Sequence, residues 1–162
     1  MGFIPKDARW YLADVILEHR VEGNPRNVVH VNTHLVEASS PEQAYEKALS
    51  LGRGSDHEYA NTDGRRVRVV FRGLRELSVI HDPLEDGAEL TYSESEGVPE
   101  EELCGWIALK EQLGVFAPIK PKSGGPNYMP QSVMQMLEAE GFSPEAVEGR
   151  DEPGDPADRP RD

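Results

Sequence analysis

Residues 28–43, VVHVNTHLVEASSPEQ, contain the strand-to-helix junction that decides the fold. Apolar and polar side chains alternate from Val28 to Val36, which is typical of a half-buried strand. Ser40 then stands at a helix N-cap position, with Pro41 in the first turn and Gln43 placed to complete a capping box. The stretch therefore predicts a strand followed closely by a helix.

This helix is expected to end at Gly52 and to bury a side formed by Ala44, Tyr45, Ala48 and Leu49. Upstream, Tyr11–His19 is a second segment rich in β-forming residues, and Glu22–Asn27 carries turn residues between the two. The two strands are predicted to pair as an antiparallel hairpin with a long loop.

More strands and a second helix are predicted downstream. The Asp63-Gly64 pair is a tight-turn signal that leads into a strand at Arg65–Arg72. Gly73 interrupts the alternation and indicates either a bulge or a second turn. Two further strands are expected at Leu74–Ile80 and Ala88–Glu94. A helix is expected to open at Pro99 and to bury Leu103, Trp106 and Ile107.

These elements predict an α+β fold, an antiparallel sheet in the order β-β-α-β-β-β-α with its helices on one face. The α+β domain is expected to cover residues 1–116, where apolar residues are dense. A Pro/Gly linker is expected at 117–130. A short amphipathic docking helix at 131–147 and a disordered acidic tail at 148–162 would follow.

Composition excludes several classes of function. The chain has 162 residues, with 17 Lys+Arg and 30 Asp+Glu, and its net charge of −13 excludes a generally basic nucleic-acid coat. No apolar run is long enough to span a membrane, and no signal peptide is evident at the start. A single cysteine offers no internal disulfide, so we expect a cytoplasmic protein.

Seven motifs carry a resemblance to a known family: Trp10-Tyr-Leu-Ala, His19-Arg-Val-Glu-Gly, Asn27-Val-Val-His-Val-Asn-Thr-His, Ser40-Pro-Glu-Gln-Ala-Tyr-Glu-Lys-Ala, Asn61-Thr-Asp-Gly, Phe71-Arg-Gly-Leu-Arg and Asp86-Gly-Ala-Glu-Leu. From about residue 10 to residue 116, the chain resembles a bacterial family catalogued as a domain of unknown function, DUF4288. The resemblance implies a small cytosolic α+β domain. It implies no activity, cofactor or catalytic residue, so function has to be argued from side chains.

Two polar rows are the main candidates for a binding surface. Strand alternation separates His30, Asn32 and His34 from Val29, Val31 and Leu35, and separates Arg66, Arg68 and Arg72 from Val67, Val69 and Phe71. If the apolar rows meet the helix, both polar rows share the open face of the sheet. That face would then hold two imidazoles and three guanidinium groups.

Two hypotheses explain these rows. The arginines can form cross-strand ion pairs with Asp14, Glu18, Glu76 or Glu94, each worth roughly 0.2 to 1 kcal/mol. Alternatively, the six polar side chains can form an anion-binding or partner-binding site, because guanidinium groups bind phosphate and carboxylate in a planar fork.

Metal, cofactor and nucleophile chemistry is weakly supported. His30 and His34 are four residues apart, which on a strand separates them by about 13 Å, too far to share one ion. Cys104 is expected to be a buried thiol rather than a reactive one. We therefore expect no metal, no cofactor and no catalytic residue.

The segment after the linker offers an apolar cluster formed by Val133, Met134, Leu137 and Phe142, with Met136 beside it. A helix this short needs a surface to fold against. It can pack on its own domain, or it can lie in a groove of another protein.

The sequence thus favours a non-enzymatic, acidic, cytosolic protein-interaction module. Its charge suits a basic protein partner, which it would bind or neutralise. A homodimer through the sheet is a further expectation. The alternative is a phosphate-binding, nucleotide-binding or hydrolytic protein that uses the Arg/His face.

Overall fold

The computed structural model of the chain describes residues 4–117 and 124–141. The chain divides into two compact units, which are considered separately. The first consists of Met1–Val98 with Pro126–Gln131, and the second of Pro99–Gly125 with Ser132–Asp162. No helix in the described ranges is both long enough and apolar enough to cross a membrane.

The first unit contains a four-stranded antiparallel sheet in the spatial order β2-β1-β4-β3. β1 spans Trp10–Val21, β2 Asn27–Glu37, β3 His57–Ala60 and β4 Arg66–Val79, and the helix α1 spans Pro41–Arg53 between β2 and β3. The predictions of an α+β fold and of a β1–β2 hairpin are confirmed. β1 and β4 are the inner strands and β2 and β3 the outer ones, but β3 pairs only with Arg66–Val69, so β4 itself forms this edge of the sheet beyond Val69.

The bulge alternative at Gly73 is confirmed. The two segments that were expected to be separate strands join in one strand, β4, and its register with β1 shifts twice, once on each side of the Val15–Ile16 pair. Gly73 has φ 137°, a conformation that suits a residue without a Cβ. Arg72 and Arg75 are the unpaired extra residues at these shifts.

Two strand predictions need correction. His57–Ala60 forms β3, which was not predicted because four residues give little alternation. Ala88–Glu94 was predicted to be a strand but is irregular. β3 pairs only with Arg66–Val69, so the outer side of β4 beyond Val69 has no strand partner among the described residues, and residues 88–94 do not pair with it. The two register shifts in β4 interrupt the regular edge that a further strand would need.

The capped start of α1 is confirmed. The Ser40 hydroxyl accepts a hydrogen bond from the Gln43 amide at 3.1 Å, and the Gln43 side chain accepts one from the Ser39 amide at 2.8 Å. The helix continues one residue past Gly52 and ends at Arg53. Gly52 is not a helix stop; its lack of a side chain lets the last turn approach the Phe71 ring.

The hydrophobic core lies on the side of the sheet where α1 packs. One cluster joins Ala44 and Ala48 of the helix to the strands, and a second cluster lies between β1 and β4. The buried members on the strands are Tyr11, Ala13, Val15, Leu17, Val36 and Val69. Small alanines on α1 let the helix lie close to these side chains.

Residues 126–130, the end of the stretch expected to be a linker, hydrogen-bond to the β3–β4 turn. The fully buried Asn61 side chain accepts bonds from the amides of Asp63 and Arg65, and it donates to the Asn127 carbonyl at 2.7 Å. The Tyr59 hydroxyl donates to the Tyr128 carbonyl. Part of this stretch is thus bound to the sheet rather than free.

The second unit contains α2 at Glu100–Trp106 and a 3-10 turn at Lys110–Gln112. It also contains α3, which spans Gln131–Ala139, except for its first residue, which belongs to the first unit. The start of α2 after Pro99 is confirmed. The predicted burial of Leu103, Trp106 and Ile107 is wrong, because all three are exposed. A helix of seven residues has too few turns to build a buried side of its own.

Gly52→Ala is expected to destabilise the protein by about 1–3 kcal/mol, since the added Cβ would lie 2.6 Å from Phe71 Cζ and overpack the core. Gly105→Ala on α2 is the matched control, because its Cβ would meet nothing within 4 Å. Urea unfolding measures both. Equal stability of Gly52→Ala and the wild type would contradict this packing.

Candidate functional site

The register with β1 shows which side chains of the sheet share a face. Leu17 lies opposite His30 on one side and Phe71 on the other. Arg20 lies opposite Arg68. Directly opposed residues point to the same side of a sheet. Leu17 belongs to the core on the side where α1 packs, so His30 lies on that side, which we call the helix face. Arg20 is three residues further along β1 and points the other way, so Arg68 lies on the opposite side, which we call the arginine face.

The prediction that the two polar rows share one face is wrong. The helix face carries His30, Asn32 and His34, all half-buried, and the arginine face carries Arg66, Arg68 and Arg72. The exposed row of β2 is its apolar row, Val29, Val31 and Leu35. The register of the β1–β2 hairpin decides which row of β2 faces α1, because a shift of one residue would exchange the two rows.

On the helix face, His19, His30 and Tyr128 form a ring cluster. The ring centroids of the two histidines are 4.3 Å apart, and Tyr128 lies 5.6 Å from His19 and 5.3 Å from His30. His19 is buried, and its Nδ1 has no hydrogen-bond partner in the described part of the chain. Burial lowers the pKa of His19, the charges of His30 and His57 lower it further, and a hydrogen bond to the Val28 backbone opposes them.

On the arginine face, the buried carboxylate of Glu18 contacts two arginine side chains. Glu18 accepts hydrogen bonds from Arg20 and Asn27, and Arg72 Nε lies 3.4 Å from its Oε2. The hydrogen bonds from Arg20 and Asn27 hold the pKa of Glu18 below its ordinary value, and the charges of Arg20 and Arg72 add to this effect. Arg72, whose side chain is more than half exposed, is therefore paired with a carboxylate of its own chain.

The other arginines of this face are paired too. Arg75 donates to Asp14, whose pKa is lowered mainly by a hydrogen bond from Thr33 and then by Arg75. Arg66 lies near Glu22 and Glu58, and Arg68 near Glu58, at 3.8 to 3.9 Å. The prediction that ion pairs hold the arginine row is confirmed, but only Arg72 pairs with a predicted partner, Glu18. Arg66 and Arg68 pair with Glu22 and Glu58, which were not predicted.

Within residues 4–117 and 124–141, no group of three or more His, Cys, Asp or Glu side chains could hold a metal ion. Cys104, expected to be buried, is exposed, and its Sγ lies 3.5 Å from Glu100 Oε1.

The predicted docking residues lie on α3. Met134 is buried, while Val133 and Leu137 are half-buried on the same side of the helix. Met136 is exposed. Phe142 lies outside the described residues, as does the predicted tail at 148–162. Whether these residues bind a partner stays a prediction.

A groove at the end of β4 has the size of a binding site. It encloses about 710 Å³ between β4, the N-terminal residues and the loop at 81–92. Its apolar lining includes the buried Tyr11, with Leu77, Val79 and Leu90. Three carboxylates, those of Glu76, Asp82 and Glu89, line the same groove together with His81, and among the described residues neither lysine nor arginine does.

The sequence did not identify this groove. Its wall is irregular loop, which hydrophobic periodicity does not detect, and the loop is shaped by a bond from the Glu89 amide to the Asp82 carboxylate at 3.2 Å. The available signal was the recurrence of Asp and Glu through residues 76–89 around the turn at Pro83–Gly87.

Comparison with known proteins gives one result. The family model described as a domain of unknown function (DUF4288) matches residues 10–93, just over half of the chain. No curated protein and no solved structure matches. The match ends before residue 116, where the resemblance was expected to end. It includes the whole sheet, α1 and every groove residue except Ile4.

Burial of His19 predicts a pH-dependent stability. Its pKa in the folded protein lies below the ordinary 6.5, so below that pH the unfolded chain binds more protons and the free energy of unfolding falls. Urea unfolding from about pH 7 to about pH 5 measures this slope, in a window above the titration of the ion-paired carboxylates. His19→Gln should flatten the slope. His34→Gln, in a half-buried histidine of β2, is the control, and an unchanged slope in His19→Gln would contradict the assignment.

Proposed function

Because the chain belongs to the DUF4288 family, whose description states no function, we propose from its own surface that it is a non-enzymatic protein-interaction module that binds a basic segment of a protein partner. The observation that carries this proposal is the acidic groove at the end of β4. A cytoplasmic location is part of it, since the single cysteine allows no internal disulfide.

The lining of the groove suits lysine or arginine side chains. Both have an apolar stem and a charged head, and the stem gains most when it lies along apolar surface. The exposed Leu90 and the half-buried Leu77 and Val79 supply that surface. Glu76, Asp82 and Glu89 supply carboxylates at the same groove. A partner segment in which basic and apolar residues alternate would satisfy both parts of the lining.

The charge of the whole chain supports the same kind of partner. A net charge of −13 attracts a basic protein over about a Debye length, and the groove then provides short-range contacts. Occupation of a basic partner's own site by this surface would neutralise that partner. The long-range attraction mainly accelerates association, whereas the groove determines which segment stays bound.

The competing hypothesis, phosphate or nucleotide binding, receives less support. It required guanidinium and imidazole groups to converge, and they lie on opposite faces of the sheet. Arg66, Arg68 and Arg72 also lie beside carboxylates of this chain, which would compete with a bound phosphate.

Neutralising the groove should weaken binding of a fluorescent peptide of alternating lysine and leucine. The triple variant Glu76→Gln, Asp82→Asn, Glu89→Gln is expected to lose about tenfold in affinity, because three partly exposed charge contacts are worth roughly 1–2 kcal/mol together. Fluorescence anisotropy at physiological salt measures the change.

The matched control changes the net charge equally outside the groove, with Glu42→Gln, Glu46→Gln and Glu101→Gln, all exposed. Its affinity should remain close to that of the wild type. An equal loss in both triple variants would show that only the overall charge matters and would refute the groove as the binding site.

A further inference from the structure

The two edges of the sheet differ in how they are protected from pairing with another chain. β3 has only four residues, includes Glu58, and is followed by the bridge from Asn61 to Pro130. Beyond β3 this edge is the outer side of β4, which the bulges at Arg72 and Arg75 interrupt. β2 has eleven residues, contains no Lys, Arg or Pro, and pairs with β1 without a register shift. Proteins usually guard long edges with bulges, prolines or charges, and β2 has none of them along its length until Glu37.

Within the described residues no strand pairs with the outer side of β2, which we call its free edge. Two hydrogen bonds show which of its backbone groups point outward. The Ala38 amide donates to the Arg9 carbonyl at 2.8 Å, in continuation of the β1–β2 register. The Ile80 amide donates to the Trp10 carbonyl at 2.9 Å, so successive residues of β1 bond alternately to β2 and to β4. Even-numbered residues of β2 thus bond to β1, and the amides and carbonyls of the odd-numbered residues 27–37 point away from the sheet. At the end of the strand the Glu37 carbonyl accepts a hydrogen bond from Lys47 Nζ at 2.6 Å, which leaves it one further lone pair.

We propose that this free edge pairs with β2 of a second copy of the chain and forms a continuous eight-stranded sheet across a two-fold axis. Pairing over the full length places Asn32 opposite Asn32 of the second copy. Val29 then faces Leu35 of the second copy, and Val31 faces its Thr33. Every outward backbone group of residues 27–37 finds a partner in this register.

The side chains favour a second copy over another occupant. Val29 is 52% exposed, Val31 37% and Leu35 48%, so an apolar row lies beside the free edge. Glu37 is the one carboxylate on the strand, and the two-fold register places it opposite Asn27 rather than opposite another acid. Two strongly acidic chains can therefore meet here without facing carboxylates, whereas a basic partner would find little charge to recognise.

This inference goes beyond the proposed function and uses none of the groove residues. A two-fold dimer would present two acidic grooves in one assembly. Two linked sites raise the affinity for a partner with two basic segments through effective concentration, without a new contact.

Light scattering after size-exclusion chromatography tests the assembly. The chain has a mass of 18.0 kDa, so a dimer has twice that mass. At roughly 100 μM the wild type should run as the dimer. A monomer at that concentration would overturn the proposal, including the case in which another segment of the same chain covers the edge.

Charge reversal tests the register. Val29→Lys with Leu35→Lys places like charges opposite each other in the pair, and the dissociation constant should rise at least about tenfold. Val29→Lys with Leu35→Glu places opposite charges there and should restore the dimer. Both positions are about half exposed, so the fold should tolerate both variants. Equal behaviour of the two variants would overturn the register.

Cross-linking gives an independent measurement. In a Cys104→Ser background, Asn32→Cys should form an intermolecular disulfide under mild oxidation. The two-fold axis places residue 32 directly opposite residue 32 of the second copy, within disulfide distance. Glu37→Cys is the control, since its copy would lie more than about 30 Å away along the paired strands. Cross-linking of both variants, or of neither, would contradict the proposed pairing.

Discussion

The pairing of β1 with both of its neighbours determines what every other side chain of the sheet can do. The buried row Tyr11, Ala13, Val15 and Leu17 has to face α1, and it is thereby the fixed point of the first unit. Each residue of β2 and β4 then takes its side from its partner on β1. The chemistry of the two faces follows from register rather than from the polarity of any one strand.

This constraint explains what the sequence could predict. The start of α1 was predictable because Ser40, Pro41 and Gln43 form a local signal that needs no tertiary context. The β1–β2 hairpin was predictable because turn residues at Glu22–Asn27 separate two neighbouring segments rich in β-forming residues. The faces were not, because β2 alternates valines with histidines and either row could meet the helix. The assumption that the more apolar row is buried failed, and Val29, Val31 and Leu35 are exposed.

The groove shows a second limit of sequence reasoning. Its walls come from the end of β4, the N-terminal residues and an irregular loop, and residues so far apart in sequence carry no common period. The groove is acidic, as is the chain as a whole. The long edge of β2, by contrast, is nearly free of charge, so the molecule separates an electrostatic surface from one based on backbone hydrogen bonds and apolar contact.

Hydrogen exchange of the β2 amides, followed by NMR, tests the register and the use of the free edge together. In dilute solution, amides of even-numbered residues should exchange slowly and those of odd-numbered residues quickly, and the odd-numbered amides should become protected as the protein is concentrated. The residues to compare are Val28, His30, Asn32, His34 and Val36 against Val29, Val31, Thr33 and Leu35. Protection of the odd-numbered set at high dilution, with rapid exchange of the even-numbered set, would contradict the account.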